Sequence, residues 1–212
     1  GKDSGFSKPF DMGNTFKTAV YPLYAETVTV DPVDENILYV GTDNGIFQSE
    51  DKGLSWERIG LDNFSAISIA VDSKNHNVVY AGTALKGIFK SVDGGKSWSD
   101  ITPWAVVPPA MDGKKFLNVY SIIVDFSDAN KIFLGTSEGV LKSVDGGSTW
   151  QSFGPKDNDG KNIIVLCMQV DPENSSILYI GTRYYGVFKS VDSGLSWKNV
   201  GLMTCIVSSC FI

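Results

Sequence analysis

Short apolar runs separated by polar turns cover most of the chain. The runs TVTVDP, ISIAVDS, SIIVDF and MQVDP carry Val, Ile or Met over a few positions and stop at Asp. Each is followed by a longer run, ILYVGTDNGIFQ, VVYAGTALKGIFK, KIFLGTSEGVLK or ILYIGTRYYGVFK, that breaks in its middle at small or polar residues. Short, often alternating, rich in β-branched and aromatic residues and bounded by Asp, Pro, Asn and Gly, these segments read as strands. No stretch sustains a helical period. In the second unit the pattern predicts strand A at 67–71, strand B at 78–82, strand C at 87–91 and strand D starting at Ser97 and Trp98.

A third segment completes the unit. The octets SEDKGLSW, SVDGGKSW, SVDGGSTW and SVDSGLSW share the pattern S-x-D-x-G-x-[ST]-W and start at Ser49, Ser91, Ser143 and Ser190, spacings of 42, 52 and 47 residues. Three segments recurring four times in one order define a repeat protein, and four short strands per unit of about 40 to 50 residues match one propeller blade. The expected fold is therefore all-β, a β-propeller of four-stranded antiparallel blades in one domain, 1–212. The units fall at 18–60, 61–102, 115–154 and 161–201, with surplus at both ends. Residues 3–7 look like the tail of an earlier octet, and 201–212 read as the first strand of a further unit. The chain is expected to be a portion of a larger propeller, or a ring closed by its own terminal strands.

At its octets the chain resembles the Asp-box, or bacterial neuraminidase, repeat family. That repeat is carried by sialidases, xyloglucanase-type glycosidases, sortilin-like receptors and photosystem II assembly factors. The resemblance implies that each octet is the turn between the third and fourth strands of a blade, and that the protein is extracellular or periplasmic. Physically, Asp51, Asp93, Asp145 and Asp192 are suited to accept turn N–H groups, and Gly53, Gly95, Gly147 and Gly194 to take positive φ. Ser49, Ser91, Ser143 and Ser190 open the turns. Trp56, Trp98, Trp150 and Trp197, four of five tryptophans, are expected to cover a blade's edge or pack between blades. Residues used identically in every unit are structural, so these carboxylates are not read as catalytic or as calcium ligands.

Composition narrows the partners. Eighteen Lys and Arg against 24 Asp and Glu leave a net charge of −6, which disfavours nucleic acid and anionic lipid. No apolar run approaches the ~20 residues of a spanning helix, so no membrane insertion is expected. The single histidine, His76, lies in the polar turn SKNHNV and reads as solvated. Of three cysteines, Cys205 and Cys210 can pair, leaving Cys167. No cofactor motif is present and no metal site is expected; DNDG at 157–160 reads as a polar loop rather than a calcium loop.

Successive turns of an antiparallel blade alternate between its faces. The octets and the uniform A–B turns share one face; all variation falls on the other, in the B–C turns and D–A connections, where ligand binding is expected. The candidates there are Asn44, Lys86, Glu138, the run Arg183, Tyr184 and Tyr185, and Trp104 in a long proline-bearing insertion. The aromatic residues suit stacking on sugar rings or gripping a peptide; packing beneath its own loop is an equal reading of Trp104. Asp43 resembles the position of one catalytic Asp of xyloglucanase-type propellers, whose two carboxylates face each other across a cleft between two propellers. It is also what a D-N-G hairpin turn prefers. With only Arg58 and Arg183 the chain lacks the three arginines of a complete sialidase site. The first reading is a non-catalytic propeller binding carbohydrate or peptide; its alternative is a xyloglucanase-type glycoside hydrolase with part of its site missing from this chain.

Overall fold

The computed structural model describes residues 23–202. Within them there is no helix, and sixteen strands form four antiparallel sheets in which spatial order follows chain order. Blade 1 comprises β1 (Ala25–Val30), β2 (Leu38–Thr42), β3 (Gly45–Ser49) and β4 (Glu57–Gly60); blade 2, β5 (Ala66–Val71), β6 (Val79–Thr83), β7 (Gly87–Ser91) and β8 (Ser99–Asp100). Blade 3 comprises β9 (Val119–Val124), β10 (Ile132–Thr136), β11 (Gly139–Ser143) and β12 (Gln151–Ser152); blade 4, β13 (Val165–Val170), β14 (Leu178–Thr182), β15 (Val187–Ser190) and β16 (Lys198–Gly201). The all-β propeller architecture expected from the repeat is thus the one observed.

Two expectations shift. Strand D begins just after the octet tryptophan rather than with it, because the indole turns back toward the preceding blade. Gly201 closes β16 instead of opening a further unit. The octet remnant at 3–7, the segment beyond 202 and a Cys205–Cys210 pairing lie outside the described residues. Cys167, buried on β13, is disulfide-bonded.

The core sits between blades. One apolar cluster joins Tyr39 and Ile46 of blade 1 to Ile69 and Val79 of blade 2; a second joins Tyr80 and Ile88 to Ile132 and Leu134; a third joins Phe133 and Val140 to Met168 and Ile180. Side chains alternate across each strand, so every blade offers one apolar face to each neighbour. At Gly41, Gly82 and Gly135 of strand B the next blade leaves no room for a side chain. A Cβ on Gly82 would lie 2.2 Å from Ser68 Oγ and 2.6 Å from the Val119 carbonyl. No larger residue fits without separating the sheets.

Polar bonds repeat at each boundary. The indole N–H of Trp98 donates to the Ile59 carbonyl at 3.0 Å, that of Trp150 to Ile101 at 3.1 Å, and that of Trp197 to Phe153 at 2.6 Å. In the other direction Lys90 Nζ donates to the Gly146 carbonyl at 3.0 Å and Lys142 Nζ to that of Ser193 at 2.9 Å. The octet therefore ties adjacent blades together as well as turning the chain.

Inside each octet the bonds are the same. In blade 3, Ser143 Oγ donates to Asp145 Oδ1 at 2.8 Å and accepts the Gly147 N–H at 2.9 Å, while Asp145 accepts the N–H and hydroxyl of Thr149 at 2.8 and 2.6 Å. The hydroxyls of Ser55, Ser97, Thr149 and Ser196, assisted by backbone N–H groups, hold Asp51, Asp93, Asp145 and Asp192 down at about 2. Such carboxylates serve as permanent acceptors, not as acids.

Candidate functional face

The four B–C turns are built on one frame. The buried Thr ending strand B, Thr42, Thr83, Thr136 or Thr182, donates its hydroxyl to the carbonyl of the turn's closing glycine at 2.7 to 2.9 Å. The next residue, Asp43, Ala84, Ser137 or Arg183, donates its N–H to the carbonyl preceding its own blade's first strand, at 2.9 to 3.1 Å. Because the backbone bonds itself, the tips are free to vary while their positions stay fixed.

What each tip carries differs. Asp43 is exposed, with Oδ1 accepting the Tyr24 N–H at 3.1 Å. Asn44 Oδ1 accepts the Asn63 N–H at 2.8 Å and so pins the blade 1 to blade 2 connection. Lys86 is exposed beside Leu85, which is itself 49% exposed and takes a left-handed φ of 69°. Glu138 is half-buried, and desolvation pushes its carboxyl above the ordinary range. Arg183, Tyr184 and Tyr185 are all exposed; the guanidinium lies 5.6 Å from the Tyr184 ring centre, and the Tyr185 carbonyl accepts Asn199 Nδ2 at 2.8 Å. Arg183 and Tyr184 thus form a cation–π pair on the surface.

Trp104 stands elsewhere. It is partly buried against the cluster between blades 2 and 3, with its indole N–H 3.4 Å from Asp100 Oδ2. Together with Asp100, Ile101 and Val106 it lines a cavity of about 590 Å³ whose far wall is Gly147 to Trp150 of the next octet. His76, expected to be solvated, is half-buried with Nδ1 3.3 Å from the buried Asp31 carboxylate of blade 1. Asp157 Oδ1 accepts the N–H groups of Asp159 and Lys161, both at 2.9 Å, so DNDG is a self-bonded turn. Reading by residue type missed Asn118, whose Oδ1 accepts the Leu85 N–H at 3.0 Å and whose carbonyl accepts that of Ser137 at 3.1 Å. It couples two adjacent tips, and nothing in its local sequence signals that role.

Sheets stacked blade against blade, with one invariant and one variable face, define a β-propeller. No family model matches the chain. It is similar to a xyloglucanase, Xgh74A, of Acetivibrio thermocellus, 26% identical over 60% of this chain and 19% of the relative. A probable oligoxyloglucan-reducing end-specific xyloglucanase of Neosartorya fischeri is 27% identical over 62% of this chain and 18% of its own length. Among solved structures, an ancestral GH74 enzyme superposes with a TM-score of 0.69 at 26% identity, covering 85% of this chain and 26% of that one. The chain thus spans about a fifth of the length of the curated relatives it matches.

Proposed function

We propose that these blades are part of a glycoside hydrolase propeller of the xyloglucanase type, with the B–C turns and D–A connections facing a polysaccharide. The observation that carries this is the likeness to xyloglucanases, which this chain shares over 60% of its length. It gives the glycosidase alternative precedence over the non-catalytic binding propeller that the sequence put first. The octets are read as Asp-boxes, on the strength of their shared pattern and identical bonding. Asp43, exposed at a rigid B–C tip, supplies one of two carboxylates; with its partner about 6.5 to 9.5 Å away across a cleft, one acts as acid and the other activates water in an inverting hydrolysis. We place that partner beyond these four blades.

Further blades of the same ring are part of the proposal. At one register position Ile69 and Met168 are 8% and 4% exposed under the preceding blade, whereas Val28 of β1 is 65% exposed. An extracellular setting is supported by the disulfide at Cys167, a bond of oxidising compartments.

Incubation with xyloglucan and a β-glucan panel tests the reading. Because the second carboxylate is placed beyond these blades, hydrolysis is read in the protein that carries the further blades: reducing ends released there and lost in its Asp43→Ala variant support the reading. Retention on polysaccharide with no release in any form returns the non-catalytic reading to first place, and neither retention nor release sinks both.

A further inference from the structure

Unlike Asp43 and Asn44, whose side chains bond backbone N–H groups, Glu138 is a partly buried tip residue with no side-chain hydrogen bond or ion pair among the described residues. Its counterpart in blade 1 is Asn44: each donates its N–H to the hydroxyl of its own turn's threonine, at 3.0 Å for Glu138 and 3.1 Å for Asn44. The Asn44 side chain then pins Asn63. The Glu138 carboxylate, by contrast, meets no hydrogen bond or opposite charge among the described residues; desolvation is the one influence on it. Its oxygens are not fully buried and so stay open to a ligand, while partial burial makes the charge more costly than on an open surface.

The turn that carries it is held on both sides. Thr136 Oγ1 closes its turn onto the Gly139 carbonyl at 2.8 Å, and a Cβ on Gly139 would lie 3.3 Å from Asn162 Cβ, so the 153–163 connection walls one side. On the other side Ser137 is tied to Asn118, whose N–H donates to Ser137 Oγ at 3.2 Å. The neighbouring blade's tip carries the exposed rings of Tyr184 and Tyr185. An ionised carboxylate accepts at two oxygens, which suits adjacent hydroxyls of a sugar ring, while aromatic faces suit its C–H surfaces. A cation would need more oxygens, and among the described residues no three acidic or metal-ligating side chains converge.

We propose that Glu138 is a glycan-contacting carboxylate of this face, accepting hydrogen bonds from vicinal hydroxyls of a bound neutral oligosaccharide; the assignment rests on the glycosidase reading above. The 212-residue protein is titrated with xyloglucan and cello-oligosaccharides by calorimetry, beside Glu138→Gln and Ser143→Ala, with thermal melts of all three. Glu138→Gln is expected to bind about tenfold more weakly, the loss of a charge-assisted pair of bonds, with a melting temperature unchanged or raised. Ser143→Ala, in an octet on the opposite face, should show the opposite pattern, a lower melting temperature and affinity within about twofold of wild type, about 0.4 kcal/mol. Equal affinity in Glu138→Gln while wild type binds overturns this assignment alone, as does a lowered melting temperature with the affinity kept. Failure of wild type to bind any of these oligosaccharides overturns the glycosidase reading, and the assignment falls with it.

Discussion

Ser143→Ala removes one buried hydroxyl from the blade 3 octet, and its cost can be worked from the bonds it makes. Ser143 is 1% exposed; its oxygen accepts the Gly147 N–H at 2.9 Å and the Asp145 N–H at 3.3 Å. Gly147 is buried with no room for water, since a Cβ there would lie 2.7 Å from Ile101 Cδ1 of the preceding blade. Its N–H is therefore stranded, at about 1 to 3 kcal/mol. The Asp145 amide makes only a long bond on an exposed residue and is re-solvated at little cost. For a domain of this size about 2 to 4 °C accompany each kcal/mol, so a fall of roughly 2 to 12 °C is expected. Urea unfolding followed by tryptophan fluorescence reads the change locally, because Trp150 donates to the Gly147 carbonyl at 3.0 Å. Ser148→Ala, in the same turn but exposed, serves as the control. If both variants unfold within about 0.5 kcal/mol of wild type, the hydroxyl does not organise the turn and the account of the octet fails.

Two further outcomes follow from the octet. The fourth octet position is left-handed in every blade, with φ of 59° at Lys52, 72° at Gly94, 68° at Gly146 and 57° at Ser193. Ser193→Gly should therefore raise stability by about 0.5 to 1 kcal/mol in the same urea assay, and a loss would show that the serine's own contacts outweigh backbone strain. The four octet carboxylates, lowered from 3.8 to about 2, contribute stability that is complete above the unfolded-state value and lost as pH falls through the folded one. Melting temperature should hold down to pH 4 and drop between about 4 and 2; Asp145→Asn should melt lower at neutral pH yet lose less on acidification, and parallel acid limbs would refute the linkage.

Much of the face was legible one residue at a time. Asp43, Lys86, Arg183, Tyr184 and Tyr185 stand exposed at B–C tips as the turn arithmetic expected. Trp104 was not legible: its residue type suited either a binding platform or a packed loop, and only the approach of blade 3's octet decided for partial burial. Asn44 and Glu138 looked equivalent on the page. Their difference depends on whether a later connection brings a backbone N–H within reach, as Asn63 does for Asn44.

By itself the repeated sequence determined that the chain is all-β, how many strands each blade holds, and which turn chemistry recurs, because strand alternation and octet bonding are local and repeat with the residues. It could not tell that Gly41, Gly82 and Gly135 mark contact with the next blade, that Trp98, Trp150 and Trp197 donate to the blade before, or that one carboxylate of the variable face has no partner among the described residues. Those facts depend on groups from separate blades meeting in space: the distance from Gly82 to Val119 is set by packing, and sequence spacing carries no record of it.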